Sequence, residues 1–416
     1  MSAPASSALP SAVLAAASAA GKLQAGTPAF RSTSRAMFVG GFCTFAMLYS
    51  TQPLMPVFAH DFGLTPAAAS GAVSMATGAL AISLIPASLL SDRFGRRALM
   101  NGALGLAALL MLLSVFVDGF GPFLFLRALF GVALAGLPAV AMAYLSEEVD
   151  GKSLGHSMGL YIAGNALGGM CGRFLAAVLA DHFGWRGALL ALALLGCAGA
   201  WLFWRWLPPS RHFQPRRQDF GRLRRELAAV ARDGGLPWLF LAAFLLMGCF
   251  VSLYNYLGFR LLAAPFGLSQ SALALVFSLY VVGIWASAWV GRLADRLGRR
   301  NVLWLMVALM LAGLALTLAD TLWLLVPGIA LFTFGFFAGH SVASSWVGLR
   351  AREAKALASA LYLCCYYLGS SVYGSVSGLM WGGGGWLGVA AALAAGLSAL
   401  LAAALWLRRL QPLSQG

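Results

Sequence analysis

The string GRLADRLGRR at residues 291–300 lies between two long apolar runs, and a near copy, SLLSDRFGRR, occupies residues 88–97 in the same setting. Asp92 and Asp295 stand 203 positions apart, within a shared frame of small-x-L-x-D-R-x-G-R-R. An internal repeat of this kind constrains the architecture before any single helix does. The chain reads as two related halves, each with a charged hairpin between its second and third membrane helices. Other places keep the same register. Phe62-Gly63-Leu64-Thr65 precedes the second apolar span and Phe266-Gly267-Leu268-Ser269 the eighth, each joining a turn to a Thr or Ser N-cap. Trp185 and Trp386 close the loops after the fifth and eleventh spans, 201 positions apart.

The hairpin residues suit a tight turn at a membrane surface. Gly95 and Gly298 permit the positive φ or close approach that such a turn needs. Asp92 and Asp295 can accept backbone N–H bonds or pair with nearby arginines. Arg96, Arg97, Arg299 and Arg300 hold the turn on the cytoplasmic side. These residues resemble the signature loop of the Major Facilitator Superfamily, G-x-L-a-D-r-x-G-r-k/r. The second copy matches in full through Gly291, Asp295, Arg296, Gly298 and Arg299. The first matches through Asp92, Arg93, Gly95 and Arg96, with Ser88 in place of glycine. The resemblance covers residues 36–407. It implies an all-α integral membrane protein with twelve transmembrane helices in two pseudo-symmetric six-helix bundles, working by alternating access. It also implies that the hairpin residues act in conformational switching.

Composition agrees with a membrane chain. Of 416 residues, 61% are hydrophobic and only 10% charged, which is too apolar for a soluble globule. The candidate spans are 36–59, 69–90, 97–117, 121–145, 155–179, 187–207, 237–260, 271–291, 301–319, 322–348, 355–379 and 385–407. The net charge of +15 suggests nucleic acid until its placement is considered. All Lys and Arg except Arg127, Arg173, Arg186 and Arg260 fall in loops that an even span count puts on one side. That is the positive-inside bias of a membrane protein with both termini cytoplasmic, in a bacterial inner membrane as the resemblance implies, and no nucleic-acid partner is expected. The six cysteines all lie in apolar runs without metal-ligand spacing and read as small packing residues.

The domain layout follows. Residues 1–35, rich in Ala, Ser and Pro, read as a disordered cytoplasmic tail. Residues 36–207 form the first six-helix bundle, 208–236 a cytoplasmic linker, 237–407 the second bundle, and 408–416 a short cytoplasmic tail. Within the linker Phe220, Leu223, Leu227 and Val230 recur at helical spacing among arginines. They suit either an amphipathic helix on an anionic leaflet or a solvated segment.

Ionisable groups inside spans are costly and therefore informative. All thirteen acids lie in loops or at span ends, so no span has a central carboxylate. Arg173 in the fifth span is consequently a buried cation without an in-span acid, suited to an anionic or polyhydroxylated substrate. Gly164, Gly168 and Gly172 on the same span are four apart and make a smooth ridge for close helix contact. This span resembles the G-P-x-x-G-G signature of twelve-helix drug:proton antiporters, with Asn165 in place of proline. Arg127 and Gly131 resemble that group's R-x-x-q-G motif, where the arginine is associated with coupling. The alternative for Arg127 is snorkelling to the interface.

His340 in the tenth span carries the in-span side chain that ordinarily titrates nearest neutral pH, and is the expected proton carrier with Arg127. Asp61 is a competing carboxylate, and packing against a neighbouring helix is the other reading of His340. Tyr49 and Gln52 in span one, Tyr254, Asn255 and Tyr256 in span seven, Tyr280 in span eight, and Tyr366 and Tyr367 in span eleven add polar and aromatic surface to a central cavity. With Arg173, Asn165 and His340 they form the expected substrate-binding set.

No P-loop, catalytic triad, metal cluster or dinucleotide fingerprint is present, so neither an enzyme nor a cofactor is expected. The resemblance implies proton-coupled efflux of a small organic solute by a monomer in the lipid bilayer. Uptake of a sugar or organic anion is the first alternative, and a non-transporting receptor of the same fold the second.

Overall fold

The computed structural model describes residues 21–213, 220–351 and 354–410, and they are overwhelmingly helical. Helix α1 (Pro28–Tyr49) begins earlier than the apolar run at residue 36. The Thr27 side chain accepts from the Phe30 N–H, and Pro28 sits where its missing N–H costs nothing. The segment before it is also tied down, contrary to the expectation of a tail through residue 35. Leu23 pairs with the strand-like turn at Val149, its N–H donating to the Glu148 carbonyl at 2.8 Å while its own carbonyl accepts from Asp150 at 3.0 Å. Backbone hydrogen bonds of this kind carry no hydrophobic signal, so the sequence pattern misses them. Residues 1–20 of the expected tail lie outside the described residues.

After α1 come α2 (Met55–Asp61), α3 (Pro66–Ala69), α4 (Gly71–Phe94), α5 (Arg96–Ser114), α6 (Phe120–Leu134) and α7 (Ala141–Glu148). Helix α8 (Gly151–Trp206) is 56 residues long. Drawn straight it would reach roughly 84 Å, against a hydrocarbon core of about 30 Å. It reverses at Gly184, whose φ of 69° is open to glycine. The linker carries α9 (Phe220–Arg232), whose Val230 is buried, so the amphipathic pattern does form a helix.

The second half repeats the plan with α10 (Leu236–Leu262), α11 (Gln270–Phe277), α12 (Tyr280–Leu297), α13 (Arg299–Leu316), α14 (Leu322–Arg350), α15 (Lys355–Val376) and α16 (Trp381–Arg409). Helix α16 breaks at Gly385, also at positive φ, so the Gly-Trp pairs 184–185 and 385–386 make the same turn in each half. Thr65 and Ser269 both cap as expected, accepting from Ala68 and Ala272.

The glycine ridge of α8 lies directly on α1. A methyl group at Gly164, Gly168 or Gly172 would stand 2.4, 2.1 or 2.4 Å from the carbonyl oxygens of Phe38, Phe42 and Ala46. In lipid, apolar surface gives no net drive between helices, so contact of this closeness supplies the attraction. The second half does the same where α15 meets α10, with Gly369 against the Phe244 carbonyl.

Among the described residues, the hydrogen bonds joining the two halves all lie on the side away from the arginine-rich loops. Gln270 donates to the Pro53 carbonyl at 2.6 Å and the Ser271 N–H to Asp181 at 3.0 Å. Ser70 bonds Ser375 at 3.0 Å and Ser371 donates to the Ser74 carbonyl at 2.8 Å. The halves are thus fastened at one end only.

Candidate functional site

The four arginines outside the basic loops fall into two pairs. Arg186 bonds Asp118 at 3.1 Å and lies over the Trp185 ring, while Arg260 bonds Asp320 at 3.1 Å and lies over Trp386. Both neutralise locally near helix ends. Arg127 and Arg173, each 2% exposed, have no carboxylate partner among the described residues. Arg127 bonds backbone carbonyls of two other helices within the first half. Its Nε donates to the Ala72 carbonyl at 2.9 Å and Nη2 to the Leu48 carbonyl at 2.7 Å, tying α6 to α4 and α1. It is buried among backbone acceptors and does not reach an interface.

Arg173 is differently placed. Its Nη1 donates to the Gly169 carbonyl one turn back at 2.6 Å, and its Nε to Gln52 Oε1 at 2.5 Å. Nη2 makes no hydrogen bond among the described residues. The guanidinium carbon lies 4.2 Å from the ring centre of Tyr49 and 4.8 Å from that of Tyr280, so one ring from each half faces the charge. The Tyr280 hydroxyl is buried without a partner among the described residues, while the Tyr49 hydroxyl and the Ser370 Oγ lie beside each other from opposite halves. Tyr280 thereby joins the site as a facing ring. Ser370 gave no sequence signal, since a lone serine in an apolar helix looks like packing.

Gln52 extends the site across the interface. With Oε1 held by Arg173, its Nε2 donates to Asn255 Oδ1 at 2.7 Å and to the Val251 carbonyl at 3.2 Å. Gln52 and Asn255 are 203 positions apart, the same offset as the two hairpin aspartates, so equivalent positions of the repeat meet face to face.

The other expected lining residues divide. Tyr254 bonds Thr333 at 2.8 Å and Tyr256 donates to the Gly374 carbonyl at 2.8 Å, so both hydroxyls serve the second half's own packing. His340 Nδ1 lies 3.0 Å from the Tyr362 hydroxyl, and its ring centre 4.6 Å from that of Tyr366, which stands edge-on to the buried Tyr367. His340 and Tyr366 are only half-buried although they sit within the helix bundle. Asn165 presses against Gly41 of α1, where an added methyl would meet its Oδ1 at 2.3 Å. Asp61 is at the surface beside His60, away from this cluster.

The hairpins keep an Asp–Arg pair at i,i+4 in both copies, Asp92–Arg96 at 2.7 Å and Asp295–Arg299 at 3.2 Å, with Gly95 and Gly298 at positive φ. They differ in what the arginine reaches next. Arg96 also bonds Glu147 at the end of α7, at 3.0 Å, whereas Arg299 finds the Ser345 hydroxyl. The repeat offset carries Glu147 onto Arg350, which turns instead to Asp233 of the linker. Burial disfavours ionisation of Asp233, but Arg350 and the N–H groups of Gly235 and Leu236 outweigh it and hold the carboxyl below its usual range. The Ser88 carbonyl accepts from the Ser91 hydroxyl, and Arg93, Gly291 and Arg296 complete the loops.

Comparison with known proteins agrees with this geometry. The family model of the Major Facilitator Superfamily matches residues 37–261 and 258–416. The chain is 44% identical over 385 residues to the uncharacterized MFS-type transporter YybF of Bacillus subtilis, covering 92% of this chain and 94% of that one. It is 46% identical over 372 residues to the inner membrane transport protein YnfM of Escherichia coli, covering 89% of each. A shorter similarity, 31% over 182 residues and 44% of this chain, links it to 40% of a gallate transporter of Pseudomonas putida. Among solved structures, a bacterial homologue of the lysosomal transporter Spinster superposes with a TM-score of 0.72 at 17% identity, covering 92% of this chain and 95% of that one. The nucleoside transporter NupG gives 0.74 at 17% identity, covering 90% and 99%. The duplicated hairpin, the paired helical halves and the full-length relatives together make this chain a member of the Major Facilitator Superfamily, a multi-pass membrane transporter and not an enzyme.

Proposed function

We propose that the protein exports a small organic solute, a drug, sugar or metabolite, across a bacterial inner membrane in exchange for protons, as a twelve-span monomer with both termini cytoplasmic. The observation that carries this is Arg173, a buried cation with no acid, set where the two halves meet and faced by a ring from each. Such a charge is costly in a membrane unless something pairs with it during the working cycle. The relay from Arg173 through Gln52 to Asn255 links the same group to the fastening between the halves. A solute that engages Arg173 releases Gln52 to turn, and weakens the bond that holds this end closed. The inner-membrane placement of YnfM supports the membrane assignment.

His340 is the proton carrier in this reading, half-buried and bonded to Tyr362, while Arg127 is held by carbonyls of the other half and acts on the frame. Asp61 serves at the surface if it takes part. The hairpin aspartates and arginines govern switching between states.

The partial similarity to a gallate transporter favours a second reading, proton-coupled or facilitated uptake of an organic anion through the same site. One assay separates these. Purified protein is placed in liposomes with an imposed pH gradient, and sugars, organic acids and lipophilic cations are screened for flux in both directions. Export predicts solute moving against its gradient and opposite to the proton flow, whereas uptake predicts movement with it. His340→Gln is expected to keep counterflow exchange and lose uphill transport. Wild-type accumulation by that variant would remove His340 from coupling.

A further inference from the structure

We infer that the solute held at Arg173 is a small planar aromatic carboxylate; this rests on the reading of Arg173 as the binding group. Charge comes first. A guanidinium without an acid in a low-dielectric setting repels cations and gains most from an anion. The free Nη2 has no acceptor among the described residues, and carboxylate oxygens are its natural partners.

The donors around it point the same way. The hydroxyl of Tyr280 is unpartnered on a ring less than 5 Å from the guanidinium carbon, and the Tyr49 hydroxyl, on a second such ring, has the Ser370 Oγ beside it. Buried hydroxyls left open are unfavourable until a ligand satisfies them. These hydroxyls beside a cation without an acid make a cradle for an anion with several lone pairs.

The aromatic part follows from what adjoins the cradle. Tyr280 meets Phe250 edge-on at 5.4 Å, and Phe250 stacks on Phe336 at 3.7 Å and 9°. Phe336 lies parallel to His340, and His340 adjoins Tyr366 at 4.6 Å. A continuous line of rings thus runs from Arg173 to the half-buried His340 and Tyr366. Flat rings gain edge and face contacts from such a wall that aliphatic chains do not.

The test uses the full chain in lipid nanodiscs and measures direct binding of four probes. Benzoate is compared with benzamide, which is neutral, with cyclohexanecarboxylate, which is charged but has no π face, and with benzyltrimethylammonium, which is a cation. Benzoate is expected to saturate and to bind at least about tenfold more tightly than each of the others. Arg173→Lys should weaken benzoate by about tenfold or more, because an ammonium lacks the planar fork. Tyr280→Phe removes only an unpartnered hydroxyl, so it should weaken benzoate several-fold at an unchanged melting temperature.

Equal affinity for benzoate and cyclohexanecarboxylate would overturn the aromatic part. Equal or tighter binding of benzamide or the cation would overturn the anionic part. Counterflow in liposomes separates this proposal from the reading beneath it. Exchange of some other solute that benzoate does not inhibit refutes the substrate class and leaves the carrier standing. Tight benzoate binding without exchange of any solute refutes the carrier and leaves the ligand class standing.

Discussion

Two buried arginines with the same burial carry opposite consequences. Arg127 ties α6 to the Ala72 carbonyl of α4 and the Leu48 carbonyl of α1, so Arg127→Met removes two bonds between helices, at about 1 kcal/mol or more each. Arg173 instead bonds its own helix at Gly169 and the Gln52 side chain, and so ties no neighbouring helix through its backbone. Arg173→Met is expected to leave the melting temperature unchanged or to raise it, while abolishing solute binding; stability and function trade off at such sites. Arg127→Met should lower the melting temperature in the same lipid. Scanning fluorimetry on both variants decides the matter, and the reverse order of melting temperatures would make Arg173 the structural residue. The sequence points Arg127 to coupling and Arg173 to substrate, but which neighbours supply acceptors to each is recorded in no linear pattern.

At the level of helices, small residues set how closely the spans approach. Gly168 of α8 faces the Phe42 carbonyl of α1 so tightly that no side chain fits without moving backbone. Gly159, two turns earlier on the same helix, has nothing near it. Gly168→Val should therefore destabilise by about 1–3 kcal/mol or more through overpacking, while Gly159→Val costs only fractions of that. Comparable melting temperatures for the two would mean that α1 and α8 do not meet as described. This ridge was legible, since a spacing of four along a helix places residues on one face. The asymmetry of the hairpins was not. Both strings contain the same Asp and Arg, but beyond that pair Arg96 reaches Glu147 and Arg299 reaches Ser345. Partners on other helices decided that.

For the whole molecule, the two halves are fastened by single hydrogen bonds worth about 1 kcal/mol apiece, one of them to the Asp181 carboxylate, which suits contacts that must break in every cycle. Ser70 and Ser375 hold the closed end with their hydroxyl oxygens 3.0 Å apart. In a background without the six native cysteines, Ser70→Cys with Ser375→Cys should form a disulfide under oxidation. That bridge should stop solute exchange, and reduction should restore it. Undiminished exchange in the oxidised, fully bridged protein would mean that the halves do not part at this end during transport.

The duplicated D-R-x-G-R-R turns, the Gly-Trp reversals and the glycine ridge belong to the sequence itself. Each depends on local backbone freedom or on spacing along one helix, and a linear string records both. The one-sided arginines likewise marked which loops share a face. Only the tertiary structure decided that Gln52 and Asn255, equivalent in the repeat, bond to each other, and that Tyr49 and Tyr280 flank Arg173 from opposite halves. It also turned Tyr254 and Tyr256 away to internal partners and left Asp61 at the surface. Contacts between residues far apart in sequence are made by how the two halves dock, and no periodicity within either half encodes that.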